Sequence, residues 1–105
     1  METLRFELDA PRAAGGTRKL ALVGVVASGN LEVLLERDAP AGRCLIEIST
    51  AAQGFKPLWD AVVADFVARR AAGGLRISIN DGGARPDTVS LRLAQGVRLI
   101  EETEA

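Results

Sequence analysis

Apolar and polar residues alternate strictly in three segments of the chain, which is the pattern of strands with one buried face. Leu4–Asp9 alternates with Leu4, Phe6 and Leu8 on one side. Arg43–Ser49 and Leu75–Asn80 repeat the same period of two. We therefore predict a strand in each segment.

Two further apolar runs lie between the first and second of these strands. Lys19–Ala27 is almost continuously apolar, which predicts a central strand covered on both faces. Leu31–Arg37 follows as a second strand, with Glu32 and Glu36 toward solvent. The outward faces of Glu32, Glu36 and Arg37 are a candidate docking surface, and solvated charge explains them equally well.

The interruption between the two runs is Ser28-Gly29-Asn30. Gly29 and Asn30 tolerate the positive φ angles that tight hairpin turns require. We therefore predict a turn here, with Ser28 exposed at its shoulder.

After residue 54 the apolar period lengthens to that of a helix. Pro57 suits a first helical turn, and Gly73-Gly74 ends the pattern, so a helix is predicted over about 55–72. Trp59 lies in the apolar stripe and is predicted to be core. The segment 88–100 fits a strand, a helix or both. The β-branched pair Thr88-Val89 favours a strand through Leu93, with Ser90 and Arg92 outward, followed by a short helix.

These elements predict a single α+β domain over residues 1–105. Its mostly antiparallel sheet has about five or six strands. One main amphipathic helix and a short C-terminal helix cover it.

Charge and composition exclude several classes of function. The net charge is −1 and aromatic residues are few, so no basic or stacking surface for nucleic acid is expected. No apolar run is long enough for a membrane span and no signal peptide is recognisable, which predicts a cytoplasmic protein. The single cysteine, Cys44, alternates in phase with Ile46 and Ile48 and is predicted to be a buried, inert thiol.

The chain contains no histidine, the commonest general base and metal ligand. Asp81, next to Gly82-Gly83, fits an Asx turn better than an anion-binding nest. Arg85 fits either a phosphate contact or solvent. No catalytic residue and no metal ligand is predicted, and an independent enzyme is not expected.

Residues 24–34, Gly-Val-Val-Ala-Ser-Gly-Asn-Leu-Glu-Val-Leu, resemble the signature of the acyl carrier (delta) subunit of biotin-independent malonate decarboxylase. The citrate lyase gamma subunit is similar but more distant, with Glu-Ser-Gly-Asp, whose Asp corresponds to Asn30 here. The resemblance implies that Ser28 carries 2′-(5″-phosphoribosyl)-3′-dephospho-coenzyme A through a phosphodiester bond. Gly29 and Asn30 would form the turn that presents it.

The same resemblance implies a function and a set of partners. The carrier would hold acetyl and malonyl thioesters while malonate is converted to acetate and carbon dioxide. Its partners would be the acyl transferase (alpha) subunit, the decarboxylase (beta and gamma) subunits, a prosthetic-group transferase and a malonyl-transferring enzyme. Two alternatives stay open: a citrate-lyase-type carrier, and a cofactor-free structural or assembly subunit in which Ser28 is only a turn residue.

Overall fold

The computed structural model describes residues 2–25, 28–51, 53–84 and 86–102, and for residues 25, 28–30, 86 and 87 it describes the backbone alone. The α+β class and the mostly antiparallel sheet are confirmed. Over the described ranges the elements in chain order are β1 (Glu2–Asp9), β2 (Leu20–Val25), β3 (Ser28–Glu36), β4 (Arg43–Thr50), α1 (Lys56–Arg69), β5 (Leu75–Asp81) and α2 (Pro86–Ile100).

The strand order across the sheet is β1-β4-β5-β3-β2. β4 and β5 are parallel and are joined through α1, and the other neighbours are antiparallel. One row of paired residues crosses four strands: Glu2 lies opposite Thr50, Thr50 opposite Asp81, and Asp81 opposite Leu31. We call this row the hairpin end of the sheet, because β2 and β3 are connected at this end.

Both helices cover one face of the sheet, and the core lies between them and the strands. Alternate positions of each strand point into this core, as the period of two requires. Trp59 and Cys44 are 5% and 0% exposed, which confirms both as buried. The fully buried large side chains are mainly aliphatic: Leu31, Val33, Leu35, Ile46, Ile48, Val63, Leu75, Ile77, Ile79, Val89, Leu93 and Ile100.

The C-terminal segment is one continuous helix, α2, so the predicted strand through Leu93 and short helix after it are wrong. Val89, Leu93, Val97 and Ile100 are all buried along one side of α2. Packing of this stripe outweighs the strand preference of the β-branched pair that begins it. Gly96 allows the close approach, since a Cβ there would lie 2.3 Å from the Cδ1 atom of Leu35.

β2 is an edge strand, and the prediction that it is central and covered on both faces is wrong. Ala21 and Val23 are buried, but Leu20 and Leu22 are 55% and 53% exposed on the face opposite the helices. A continuous apolar run therefore does not distinguish a central strand from an edge strand with exposed apolar residues.

Arg37 joins three distant segments through its guanidinium group. Its Nε donates to the carbonyl of Arg18 at 2.7 Å, and Nη1 donates to that of Ala14 at 3.0 Å. Its Nη2 donates to the carbonyl of Gly15 and, at 2.7 Å, to that of Ile100 at the end of α2. Arg37 is therefore a structural residue at the end of the sheet opposite the hairpin.

Candidate functional site

β3 begins before the strand that pairs with it on its other side ends. β5 ends at Asp81, opposite Leu31, whereas β3 begins three residues earlier, at Ser28. β2 ends at Val25, two residues past Val23, and regular pairing from the Val23–Val33 pair would place Val25 opposite Leu31. Val25 pairs with Ser28 instead, so an irregularity in the hairpin takes up three extra residues of β3 and Ser28 lies beside the end of β2.

Gly29 and Asn30 lie within β3, so the prediction of a turn at Ser28-Gly29-Asn30 is wrong. Because Val25 pairs with Ser28, the connection between the strands is residues 26 and 27, which lie outside the described residues. Glycine and asparagine allow a turn but do not require one, and here they lie in an irregular strand. The side chains of Ser28 and Asn30 also lie outside the described residues, so the exposure and role of Ser28 stay predictions.

Gly24 accommodates an irregularity in the hairpin. Val23 pairs with Val33 but Val25 pairs with Ser28, so the register shifts at the glycine between them. Gly24 has φ +75°, and a Cβ there would lie 2.5 Å from the carbonyl oxygen of Leu31. Only glycine fits both the backbone angle and the space, which is the usual requirement at such a bulge.

Asp81 organises the loop between the central strand and α2. Its Oδ2 accepts a hydrogen bond from Thr50 Oγ1 at 2.8 Å, and its Oδ1 accepts from the backbone N–H groups of Gly83 at 3.1 Å and Ala84 at 2.7 Å. The Asx-turn prediction is confirmed. The same two N–H groups are occupied by this carboxylate, which argues against an anion nest. The alternatives for Arg85 lie outside the described residues.

Arg92 lies beside the hairpin, and sequence reasoning missed it. A Cβ placed on Gly24 would be 3.2 Å from Arg92 Cζ and 3.3 Å from its Nε, so the guanidinium rests against the backbone of β2. The side chain is half-buried, and it makes no hydrogen bond or ion pair with the residues that the structure describes. Treating residues 88–93 as a strand made Arg92 an ordinary outward residue, and only the helical register brings it to the hairpin.

Cys44 offers no nucleophile. Burial raises the pKa of its thiol to about 12, because the charged thiolate would lose its hydration in the core. Within the described ranges, no three side chains of the histidine, cysteine, aspartate or glutamate type converge as metal ligands would. Neither helix of the described chain has the length and apolarity needed to cross a membrane.

Comparison with protein families decides the assignment that this geometry leaves open. The model of the malonate decarboxylase delta subunit (MdcD) matches residues 18–100, which include the whole hairpin, the Asp81 loop and α2. The chain belongs to the malonate decarboxylase delta subunit family.

Individual relatives agree with this assignment along the full length. A malonate decarboxylase acyl carrier protein of Bradyrhizobium diazoefficiens is 61% identical over 102 residues, covering 97% of each chain. Another from Xanthomonas euvesicatoria pv. vesicatoria is 53% identical over 105 residues, covering 100% of both. A chain in the crystal structure of a Pseudomonas malonate decarboxylase hetero-tetramer in complex with malonate has a TM-score of 0.81 and 41% identity, covering 95% of this chain and 99% of that one.

These matches confirm the expected family and its role. The chain is an acyl carrier protein of the malonate decarboxylase type, a carrier subunit and not a catalytic one. An acyl carrier needs a rigid mount for a prosthetic group more than it needs catalytic side chains.

Proposed function

We propose that Ser28 is the attachment site of 2′-(5″-phosphoribosyl)-3′-dephospho-coenzyme A, joined to the serine hydroxyl by a phosphodiester bond. The observation that supports this most is the position of Ser28 at the start of β3, beside the end of β2 and outside the stretch of β3 that pairs with β5. We expect a modifying enzyme and several partners to approach this end of the sheet without opening the core. When bound, the group supplies a terminal thiol that carries acetyl and malonyl groups as thioesters.

The described residues near Ser28 fit an anionic nucleotide group. Arg92 brings a guanidinium group, a donor of several N–H bonds, to the base of the same hairpin. Gly24 has no side chain to separate the guanidinium from the β2 backbone. The N–H donors of this guanidinium could therefore bind a phosphate group at this end of the molecule.

The fold contributes stiffness to the mount. β3 is paired on both sides from Val33 to Glu36, and its residues Leu31 and Val33 are fully buried. A long tether on a fixed base raises the concentration of its thiol at every partner site that it can reach. The chain's own residues thus set the origin of the tether, and the partners supply the chemistry.

We propose that this carrier exchanges acyl groups with an acyl transferase (alpha) subunit and with decarboxylase (beta and gamma) subunits, converting malonate to acetate and carbon dioxide. A prosthetic-group transferase would load Ser28, and a malonyl-transferring enzyme would prime the carrier. The hetero-tetrameric assembly of the Pseudomonas relative supports a multisubunit context. We place this cycle in the cytoplasm, in line with the single buried cysteine.

Intact-mass analysis tests the attachment. The chain is purified after co-expression with the decarboxylase subunits and modifying enzymes, and peptide mapping locates any added mass. We expect the mass of the phosphoribosyl-dephospho-coenzyme A group on the peptide that contains Ser28. Ser28→Ala should lose both the added mass and malonate turnover while keeping complex assembly and native Trp59 fluorescence.

Ser90→Ala is the matched control, because Ser90 is an exposed serine on α2. It should keep the added mass and the activity. An active complex containing unmodified chain, or turnover by the Ser28→Ala complex, would overturn the proposal and favour a structural or assembly role.

A further inference from the structure

The strongest unexplained feature of the described structure is the half-buried guanidinium of Arg92. Most other described arginines have partners in the chain. Carboxylates pair with Arg5, Arg18, Arg43, Arg69 and Arg76, and backbone carbonyls accept from Arg12 and Arg37.

Two other described arginines, Arg70 and Arg98, also make no such contact, but their exposure to solvent differs from that of Arg92. Arg70 and Arg98 are exposed and therefore hydrated, whereas Arg92 is half-buried between α2 and the hairpin. Withdrawing a guanidinium from water without an acceptor is unfavourable. Since no described residue accepts a hydrogen bond from Arg92, its guanidinium is open to an anionic group such as a phosphate.

The location of Arg92 is fixed from both sides. Its neighbour Leu93 is fully buried against the sheet, which sets the rotation of α2. On the other side, Gly24 lets the guanidinium approach the β2 backbone, since its missing Cβ would lie 3.2 Å from Arg92 Cζ. Through Gly24, Val25 and the Val25–Ser28 pair, the Cα atom of Ser28 is within about 14 Å of this guanidinium.

We propose that Arg92 binds a phosphate group of the arm attached to Ser28, and so holds the first part of the arm against the base of the hairpin. This inference rests on the proposed function. A guanidinium presents a planar fork of N–H donors that matches two oxygens of a phosphate diester. Arg92 is a positioning residue in this role: it restricts the arm near its origin and leaves the distal thiol free to reach the partners.

Arginine-specific modification tests the contact without changing the sequence. Wild-type chain with and without the arm is treated with phenylglyoxal, and the rates at Arg92 and Arg70 are followed by peptide mass spectrometry. We expect the arm to slow modification of Arg92 roughly tenfold, because both edges of the guanidinium are then occupied. Modification of the exposed Arg70 should proceed at the same rate in both forms. Equal Arg92 rates in the two forms would overturn the inference.

Phosphorus NMR of the arm-bearing protein gives a second readout. In Arg92→Gln, one phosphate resonance should move to its position in the isolated Ser28 peptide that carries the arm, and its line should narrow. Arg92→Lys should give an intermediate shift, because it keeps the charge but not the fork. Arg70→Gln, which removes an equal charge at the end of α1, should match wild type. Identical wild-type and Arg92→Gln spectra would contradict the contact.

A third measurement distinguishes a phosphate of the attached arm from a phosphate of a free nucleotide. Free 3′-dephospho-coenzyme A is added to unmodified chain at the concentration of the protein. We expect no protection of Arg92, because the tether supplies the local concentration. Protection equal to that in the arm-bearing protein would replace the tethered phosphate with a free nucleotide. A wild-type chain that carries no arm overturns both proposals, whereas an arm on Ser28 with an unprotected Arg92 overturns this inference alone.

Discussion

Replacing Arg37 with lysine should destabilise the fold although it keeps the charge. The guanidinium spans four backbone carbonyls, in the segment 14–18 and at the end of α2. A typical intramolecular hydrogen bond contributes about 1 kcal/mol net. The bond to Gly15 is exposed, so water replaces it at little cost. A lysine ammonium keeps about one of the three remaining bonds, which leaves a loss of about 2 kcal/mol for Arg37→Lys.

Urea and thermal unfolding, followed by the fluorescence of the buried Trp59, measure this loss. For a domain of this size about 2 kcal/mol lowers the melting temperature by roughly 10 °C. Arg5→Lys is the control, because the Arg5–Glu47 ion pair has side chains that are 76% and 50% exposed. Such a pair contributes less than about 1 kcal/mol. If Arg37→Lys is as stable as Arg5→Lys, the four-carbonyl contact does not hold α2 in place.

Two other positions give independent tests. Gly96→Ala should lower the free energy of unfolding by about 1–3 kcal/mol, because its Cβ would collide with Leu35; a variant as stable as wild type in urea would show that α2 does not lie this close to β3. Cys44 should not react with a thiol reagent at pH 8 until the chain unfolds, and prompt reaction of the native protein would contradict its burial. Since the folded pKa of Cys44 is about 12 and the unfolded value about 9, its contribution to stability is constant below pH 9. Between pH 9 and 12 the unfolded chain binds fewer protons, so stability should fall by about 1.4 kcal/mol per pH unit relative to Cys44→Ala. The same slope in both proteins would exclude this linkage.

The alternation of apolar and polar residues predicted these strands well, because each strand buries one face against the common core. Arg43–Ser49 and Leu75–Asn80 differ from the observed β4 and β5 by one residue at the end. The helix predicted over about 55–72 is α1, Lys56–Arg69, and its tryptophan is buried as expected. The local hydrophobic pattern is enough to predict an element when one of its faces is buried and the other is exposed to solvent.

The predictions were wrong where the same residues fit two different secondary structures. Val89 and Leu93 satisfy both periods, and only the surface that β2 and β3 offer selects the helix. Gly29 and Asn30 are turn formers, but the register shift beside Gly24 places the connection between the strands three residues earlier. Ser28 was singled out by resemblance and not by local chemistry. Arg92 could not be found at all before the register of α2 was known.

The pairing row from Glu2 to Leu31 has a practical consequence for fusion proteins. It spans three strand spacings, so a tag joined ahead of Glu2 starts about 14 Å from the strand that leads to Ser28. α2 ends at Ile100, at the end of the sheet opposite the hairpin, where Arg37 donates a hydrogen bond to the Ile100 carbonyl. A bulky label at the amino side would therefore lie near the attachment site that we propose at Ser28, whereas a label after Ile100 would lie at the opposite end of the sheet.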